Sequence, residues 1–277
     1  MKSNKRNRYP FIVLLIIHGA LIFYTFYKHK DRKSLLILLF SNIGLAYLFE
    51  YFVFTLFKAY CYRPYFFKRE YIDNTLGAIL SQAIYVPFTA VFITASQWGW
   101  KVKWLFSFYF SVVEVLFLRL RVYQHHWWRV IYTTVLLPIF FFISDWWYKQ
   151  IKKGTPFVLS ISLVNIILVT STNIMYVFAL LRKIRFGRGK WHSWSEHFHI
   201  SPLYTLAQAL FTVWSIRDGS WWSKVRVVLF GVMLDWTLKT LGILKMNFYY
   251  PYMNIVLNSF MIFLSVRYKH WVDQQSI

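Results

Sequence analysis

Three acids lie inside apolar stretches of this chain: Glu50, Glu114 in 106–120, and Asp235 in 227–244. A carboxylate near the centre of a lipid-embedded helix costs about 2.5–3.5 kcal/mol on insertion scales. Such a group therefore faces a bundle interior, pairs with a cation or carries a proton. Each acid is a candidate for proton, ion or substrate handling, against the plainer role of locking one helix to another. Asp235 and Lys239 are spaced i,i+4 and share a helix face, so an ion pair is available to them. Glu114 and Arg119, spaced i,i+5, share a face poorly. Ordinary interhelical hydrogen bonding, at about 0.6–2 kcal/mol each, accounts for most of the polar residues around the acids. These include Asn42, Asn165, Asn173, Asn254 and Asn258. Gln82 and Gln208 stand apart because they occupy matching places in the two halves of the chain.

His192, Glu196 and His199 have the i, i+4, i+7 spacing of one helix face, which can hold zinc or a similar ion. The competing reading of 191–201 is an aromatic-rich interfacial helix. His125 and His126, beside Trp127 and Trp128, suit a membrane interface, with Arg119, Arg121 and Arg129 near enough in sequence to help bind phosphate. There is no glycine-rich phosphate loop, nucleophile elbow or paired-metal acidic motif, which argues against a hydrolase or an ATP-driven pump. No cofactor is implied.

The elements that must position these residues come in two sets. Glu114 and Asp235 are 121 positions apart, and the same offset carries Lys103 to Lys224, Leu120 to Leu241, Trp127-Trp128 to Phe248-Tyr249, and Phe142-Ile143-Ser144 to Phe263-Leu264-Ser265. Upstream, the 52–58 run matches 176–182 at an offset of 124, and the 80–83 run matches 206–209 at 126. The pattern reads as an internal repeat with short loop insertions. Duplicated halves, each with an intramembrane acid, suggest a polar site between the two repeats.

A chain that is 58% hydrophobic and 15% charged, with mean hydropathy +0.42, does not have the composition of a soluble domain. Apolar stretches recur at lengths that cross a hydrocarbon core of about 30 Å as helices, and helices satisfy their own backbone in lipid. The expected fold is all-α, a polytopic transmembrane bundle of nine spans near 10–27, 34–57, 75–97, 104–121, 128–148, 156–181, 202–216, 226–244 and 250–268. Residues 1–30 form a basic segment and leading helix, with no small-residue cleavage site after the apolar run. Residues 31–150 and 151–277 form two four-helix repeats, parallel because each has an even number of crossings. Trp and Tyr gather at span ends, as amphipathic rings do at headgroup level. A single cysteine, Cys61, excludes an intrachain disulfide.

With 32 Lys and Arg against 10 Asp and Glu, the formal charge is +22. The cations are spread over nearly every loop and form no basic domain, which excludes nucleic acid as a partner and favours anionic lipid. By a narrow margin, the Lys and Arg count puts the N-terminus in the cytoplasm. Asp235-Trp236, Gly242, Tyr249-Tyr250, Asn258 and Arg267-Tyr268-Lys269 resemble the pattern of a family of small multi-pass membrane proteins from spore-forming Gram-positive bacteria, which has no assigned activity. The resemblance covers about the last 75 residues well and the first half more loosely. It implies a bacterial cytoplasmic membrane protein.

The sequence thus supports a membrane protein binding or transporting a small ion, lipid or anionic solute at a site around Glu114, Asp235, Glu50, Gln82, Gln208 and Lys239. The alternatives are a lipid-modifying enzyme with an acid as general base, and an assembly partner with no site of its own.

Overall fold

The computed structural model describes residues 8–189, 192–246 and 252–275. Trp191, Phe248, Tyr249, Tyr250 and Pro251 lie outside the described residues, as does the side chain of Asn254. The chain divides into two compact units, Met1–Thr155 and Pro156–Ile277.

In the first unit, α1 (Tyr9–Lys28) is followed by α2 (Arg32–Glu50), which continues through a π-helical turn, Tyr51–Leu56. Strand β1 (Tyr60–Tyr62) comes next. Helix α3 (Glu70–Ile79) then runs through a second π-helical turn, Leu80–Tyr85, into α4 (Val86–Ala95). Pro87 supplies a reason for the second wide turn. It has no N–H to give to the preceding turn, and its ring crowds the carbonyl four residues back. Helix α5 (Trp100–Arg119), β2 (Tyr123–His125) and α6 (Val130–Lys152) complete the unit. Nine of the ten α4 residues are buried, and α1, α2 and α6 all pack against it. The leading helix is therefore part of the first unit's packing, not a separate body.

The second unit runs α7 (Pro156–Leu180), β3 (Ile184–Phe186), α8 (Trp194–Ser215), a 3₁₀ turn (Ile216–Asp218), α9 (Trp221–Thr240), β4 (Leu244–Met246) and α10 (Tyr252–Asp273). Helix α7 packs against α8 and α10, and α9 against α10 and α8. Helix α8 begins at Trp194, so residues expected in an interfacial piece form the first turns of a longer helix.

Both units contain a short antiparallel ladder that the all-α expectation did not include. Tyr60, Cys61 and Tyr62 pair with His125, Gln124 and Tyr123. Ile184, Arg185 and Phe186 pair with Met246, Lys245 and Leu244.

Among the described residues five helical rods are long and apolar enough to cross a membrane: Tyr9–Lys28, Arg32–Leu56, Glu70–Ala95, Val130–Lys152 and Pro156–Leu180. Among the described residues α5, α8, α9 and α10 are less apolar. In α5 the cause is an inside-out arrangement. Lys103, Ser107, Ser111 and Glu114 are buried, while Leu105, Phe108, Val112 and Leu116 face outward.

Candidate functional site

The site of most chemical interest is a cavity of about 420 Å³ within the first unit. Its floor is the β1–β2 ladder. Side chains alternate along a strand, so Tyr60 and Tyr62 share one face and Cys61 takes the other. The Tyr60, Tyr62 and Tyr123 rings pack with centroids 4.9 to 5.6 Å apart, and Trp128 lies edge-on to Tyr60 at 5.4 Å. This aromatic floor is held from beneath. Asn74 accepts from the Tyr62 N–H at 2.7 Å, and the Asp73 carboxylate accepts from the Tyr65 and Phe67 N–H groups at 2.7 and 2.8 Å. Gly77 lets α3 press on the strand, since a Cβ there would stand 2.3 Å from Tyr62 Cβ.

Two acids meet this floor. Glu50, the last residue before the first π-helical turn, is 6% exposed. Its Oε2 accepts from Tyr60 Oη at 2.7 Å and from Gln82 Nε2 at 3.1 Å, while its Oε1 is buried with no hydrogen-bond partner among the described residues. Gln82 lies inside the second π-helical turn. Glu114 lines the cavity from α5, and its Oε1 is 2.6 Å from His125 Nε2 on β2. Burial first, and the Glu50 carboxylate next, hold the Tyr60 and Tyr62 hydroxyls well above the usual tyrosine range. Burial does the same for Tyr123, with Tyr62 and Glu114 adding to it. All three hydroxyls stay neutral, each able to donate one hydrogen bond and to accept others.

Away from the floor the wall is apolar. Phe11 and Leu14 of α1, Phe110 and Phe117 of α5, and Phe140 and Ile143 of α6 belong to it. The α6 wall runs from Thr133 to Trp147, a length of about 20 Å at 1.5 Å per residue. Among the described residues no lysine or arginine lines the cavity.

The second unit builds a smaller polar cluster on α8 and α9. Tyr204 Oη donates to Asp235 Oδ1 at 2.5 Å, and Gln208 Nε2 donates to Tyr204 Oη at 2.7 Å. The void beside Gln208 is only about 20 Å³, room for about one water molecule. Lys239 is exposed one turn beyond Asp235.

Of the residues expected from sequence, the structure brings together Glu50, Gln82 and Glu114 in one unit, and Asp235 with Gln208 in the other. Arg119, which by its spacing shares a face with Glu114 poorly, is exposed, and the partner of Glu114 is His125 from the strand. The metal face is corrected as well. Helix α8 starts at Trp194 after the N-cap Ser193, so His192 precedes the helix and cannot share its face with Glu196 and His199. Glu196 closes a capping box with Ser193, and His199 Nδ1 bonds Ser195 O at 2.6 Å. Among the described residues no group of three or more His, Cys, Asp or Glu could hold a metal ion.

Sequence reasoning missed Tyr60, Tyr62 and Tyr123. The Tyr-Cys-Tyr alternation is a strand signal, but three residues inside a loop do not raise it above background. It also missed Asp145, which pairs with the buried Lys103 at 2.6 Å.

Comparison with protein-family models, with curated proteins and with solved structures finds no match.

Proposed function

We propose that the protein is a multi-pass component of a bacterial cytoplasmic membrane that binds a lipid-like, amphipathic molecule in the cavity of its first unit. One observation carries this reading. The cavity joins an apolar wall, long enough for a hydrocarbon chain, to a floor of tyrosines beside one acid, Glu114. Ligand sites commonly combine such a wall with a few convergent polar groups. The anionic solute suggested by the net charge is disfavoured, because among the described residues the wall carries Glu114 and no lysine or arginine.

The membrane architecture we propose has nine crossings, more than the five rods of sufficient apolarity. Strand pairing supports the higher number. β1 follows α2 and β2 follows α5, yet the two strands pair. If the α3–α4 rod crosses the membrane, α5 must cross back to bring β2 to β1. Its outward stripe of Leu105, Phe108, Val112 and Leu116 suits lipid, and its inward polar residues explain its modest hydropathy.

The repeat is supported in the same terms. Each unit, leaving α1 aside, follows the order helix, strand, helix, helix, strand, helix. The offsets read from sequence carry β1 onto β3 and β2 onto β4 with identical pairing register. They also carry Trp100, the start of α5, onto Trp221, the start of α9.

A second reading has one observation in its favour. Glu114 and His125, 2.6 Å apart at the cavity, form an acid–imidazole pair of the kind used in general acid–base catalysis on a bound lipid.

The test is to purify the full chain in mild detergent, extract it with organic solvent and identify what was bound by mass spectrometry. Wild type should carry an amphipathic molecule, and Val113→Trp or Leu137→Trp, which fill the cavity, should lose it while keeping the thermal transition. A wild-type protein with no bound amphiphile, or filled variants that still carry it, would remove the reading. A chemically altered lipid that accumulates with wild type but not with His125→Ala would favour the enzyme.

A further inference from the structure

We infer that a second cavity, at the end of the first unit remote from the strand ladder, binds a phosphate group. The inference does not rest on the ligand proposed for the larger cavity.

This cavity has a volume of about 360 Å³ and lies where α1, α4 and α6 end. Lys28 and His29 come from the end of α1, Ser96, Gln97 and Trp98 from the turn between α4 and α5, and Tyr148 from α6. Helix α6 starts beside the ladder at Val130, and Tyr148 stands about 27 Å further on at 1.5 Å per residue. The Tyr24, Trp98 and Tyr148 rings in the lining suit headgroup level at a membrane surface.

Donors and acceptors give the first argument. Lysine and tryptophan side chains can only donate hydrogen bonds. Neither the Lys28 ammonium nor the Trp98 indole finds an acceptor among the described residues, and the side chains of His29, Ser96 and Gln97 make no hydrogen bond there either. Lys28 Nζ stands 5.5 Å from the centroid of the Tyr24 ring, which itself lines the cavity, so the ammonium is kept at the wall. Among the described residues no Asp or Glu lines this cavity. A wall with donors to spare and a positive charge is complementary to an anion rich in acceptor oxygens. A phosphate ester presents more such oxygens than a carboxylate, and takes charge-assisted hydrogen bonds from lysine.

The second argument is that what would repel an anion here is already covered. Asp31, which accepts from Tyr148 Oη, is paired with Lys152 at 2.6 Å, and Asp145 with Lys103 at 2.6 Å. Helix C-termini carry partial negative charge on their last carbonyls. Near the end of α1, Arg32 Nε donates to Phe26 O at 3.0 Å. After α4, the Ser96, Gln97 and Trp98 N–H groups return to Phe92, Thr94 and Ile93 carbonyls, and Lys103 Nζ donates to Trp98 O at 2.8 Å.

The third argument is the backbone of the turn. Gln97 sits in the left-handed region, φ 53°, where glycine would be at ease. Strain of this kind collects at ligand clamps, and here it places an amide on the cavity wall.

The experiment uses the full chain in mild detergent, with protein-free detergent correcting for partition. Saturable binding of dioleoyl phosphatidic acid is compared with that of dioleoylglycerol, which lacks the phosphate, and of oleate. Phosphatidic acid should bind at least about tenfold more tightly than dioleoylglycerol, and more tightly than oleate. Lys28→Gln should lose about tenfold in that affinity, whereas Lys68→Gln, which removes the same charge from an exposed position between β1 and α3, should stay within about twofold. Gln97→Gly should weaken binding while its thermal transition stays at or above that of wild type. Displacement of phosphatidic acid by inorganic phosphate would name a soluble phosphate as the source of the group; no displacement would name the lipid headgroup. Equal binding of phosphatidic acid and dioleoylglycerol, tighter binding of oleate, or equal losses in Lys28→Gln and Lys68→Gln would each overturn the phosphate site. Loss of phosphatidic acid binding in Val113→Trp, which fills the larger cavity, would also overturn it and leave the larger cavity's role standing.

Discussion

Lys103 is buried on α5, its Nζ 2.6 Å from Asp145 Oδ2 of α6 and 2.8 Å from the Trp98 carbonyl that it also donates to. The other Asp145 oxygen accepts from Thr94 Oγ1 of α4 at 2.6 Å, and Ser144 next to it accepts from Asn42 Nδ2 of α2 at 2.9 Å. Four helices of the first unit meet through this one chain of polar contacts. Removing the cation alone strands a carboxylate in a poorly solvated place. Lys103→Met should therefore cost about 3 kcal/mol, read as a loss of unfolding free energy in detergent. The double variant Lys103→Met with Asp145→Leu should recover most of that, because both charges leave together. A single variant as stable as wild type would show that water already screens the pair. Lys103 was visible in the sequence through its match to Lys224, but Asp145 was not. Its neighbours Trp146 and Trp147 look like an ordinary span end, and a polar group at a span end looks the same whether it points to water or to a partner.

At the scale of elements, helix ends carry much of the regularity. Helix α5 ends with Arg121 in the left-handed region, φ 58°, and the Val122 N–H returns to Phe117 O at 3.1 Å. Helix α9 ends in the same way with Gly242, φ 70°, and the Ile243 N–H on Leu238 O at 2.8 Å. Glycine takes this conformation without a Cβ clash, and arginine does not. Arg121→Gly should stabilise the protein by about 1 kcal/mol, and Gly242→Arg should destabilise it by a similar amount; opposite signs in paired thermal melts are the expected result. Helix α8 begins with the Ser193–Glu196 capping box, and the Ser193 hydroxyl and N–H hold the Glu196 carboxyl below its usual value. A lowered folded pKa means this contribution is complete above the unfolded value, about 4.3, and is lost as pH falls through the folded one. Amide exchange across 194–199, corrected for intrinsic rates, should accelerate on acidification in wild type and show no such step in Glu196→Gln. The capping pattern Ser-x-x-Glu was present in the sequence at 193–196, yet the histidines around it drew the reading towards metal. The π-helical turns and three-residue strands had no comparable signal, since their stability comes from packing between segments far apart in sequence.

For the whole molecule, the repeat we propose rests on equal offsets that preserve side-chain types even where the chemistry has changed. The 121-residue offset found Glu114 and Asp235 and also carries Arg121 onto Gly242, whose shared left-handed backbone accounts for a mismatch of residue types. The cavity was not legible, because no local pattern reports the space left when α1, α4, α5 and α6 fail to fill a volume. Membrane topology lies between these cases: hydropathy supports five crossings, and strand parity supports more. In a Cys61→Ser background, single cysteines at the exposed positions Lys68, Gln124, Arg188, Lys101 and Arg217 can be labelled with an impermeant maleimide in intact cells and in inverted vesicles. Nine crossings put Lys68, Gln124 and Arg188 on one side, and Lys101 and Arg217 on the other. Lys101 and Gln124 flank α5, so labelling from the same side would mean that α5 does not cross, and β2 could then reach β1 only if the α3–α4 rod did not cross either. Arg188 and Arg217 flank α8 in the same sense, and their labelling from one side would leave α8 and α9 lying along the membrane instead of through it. The strand pairs thus convert a question about hydropathy into one about parity, in which each reagent-accessible position has only two possible answers.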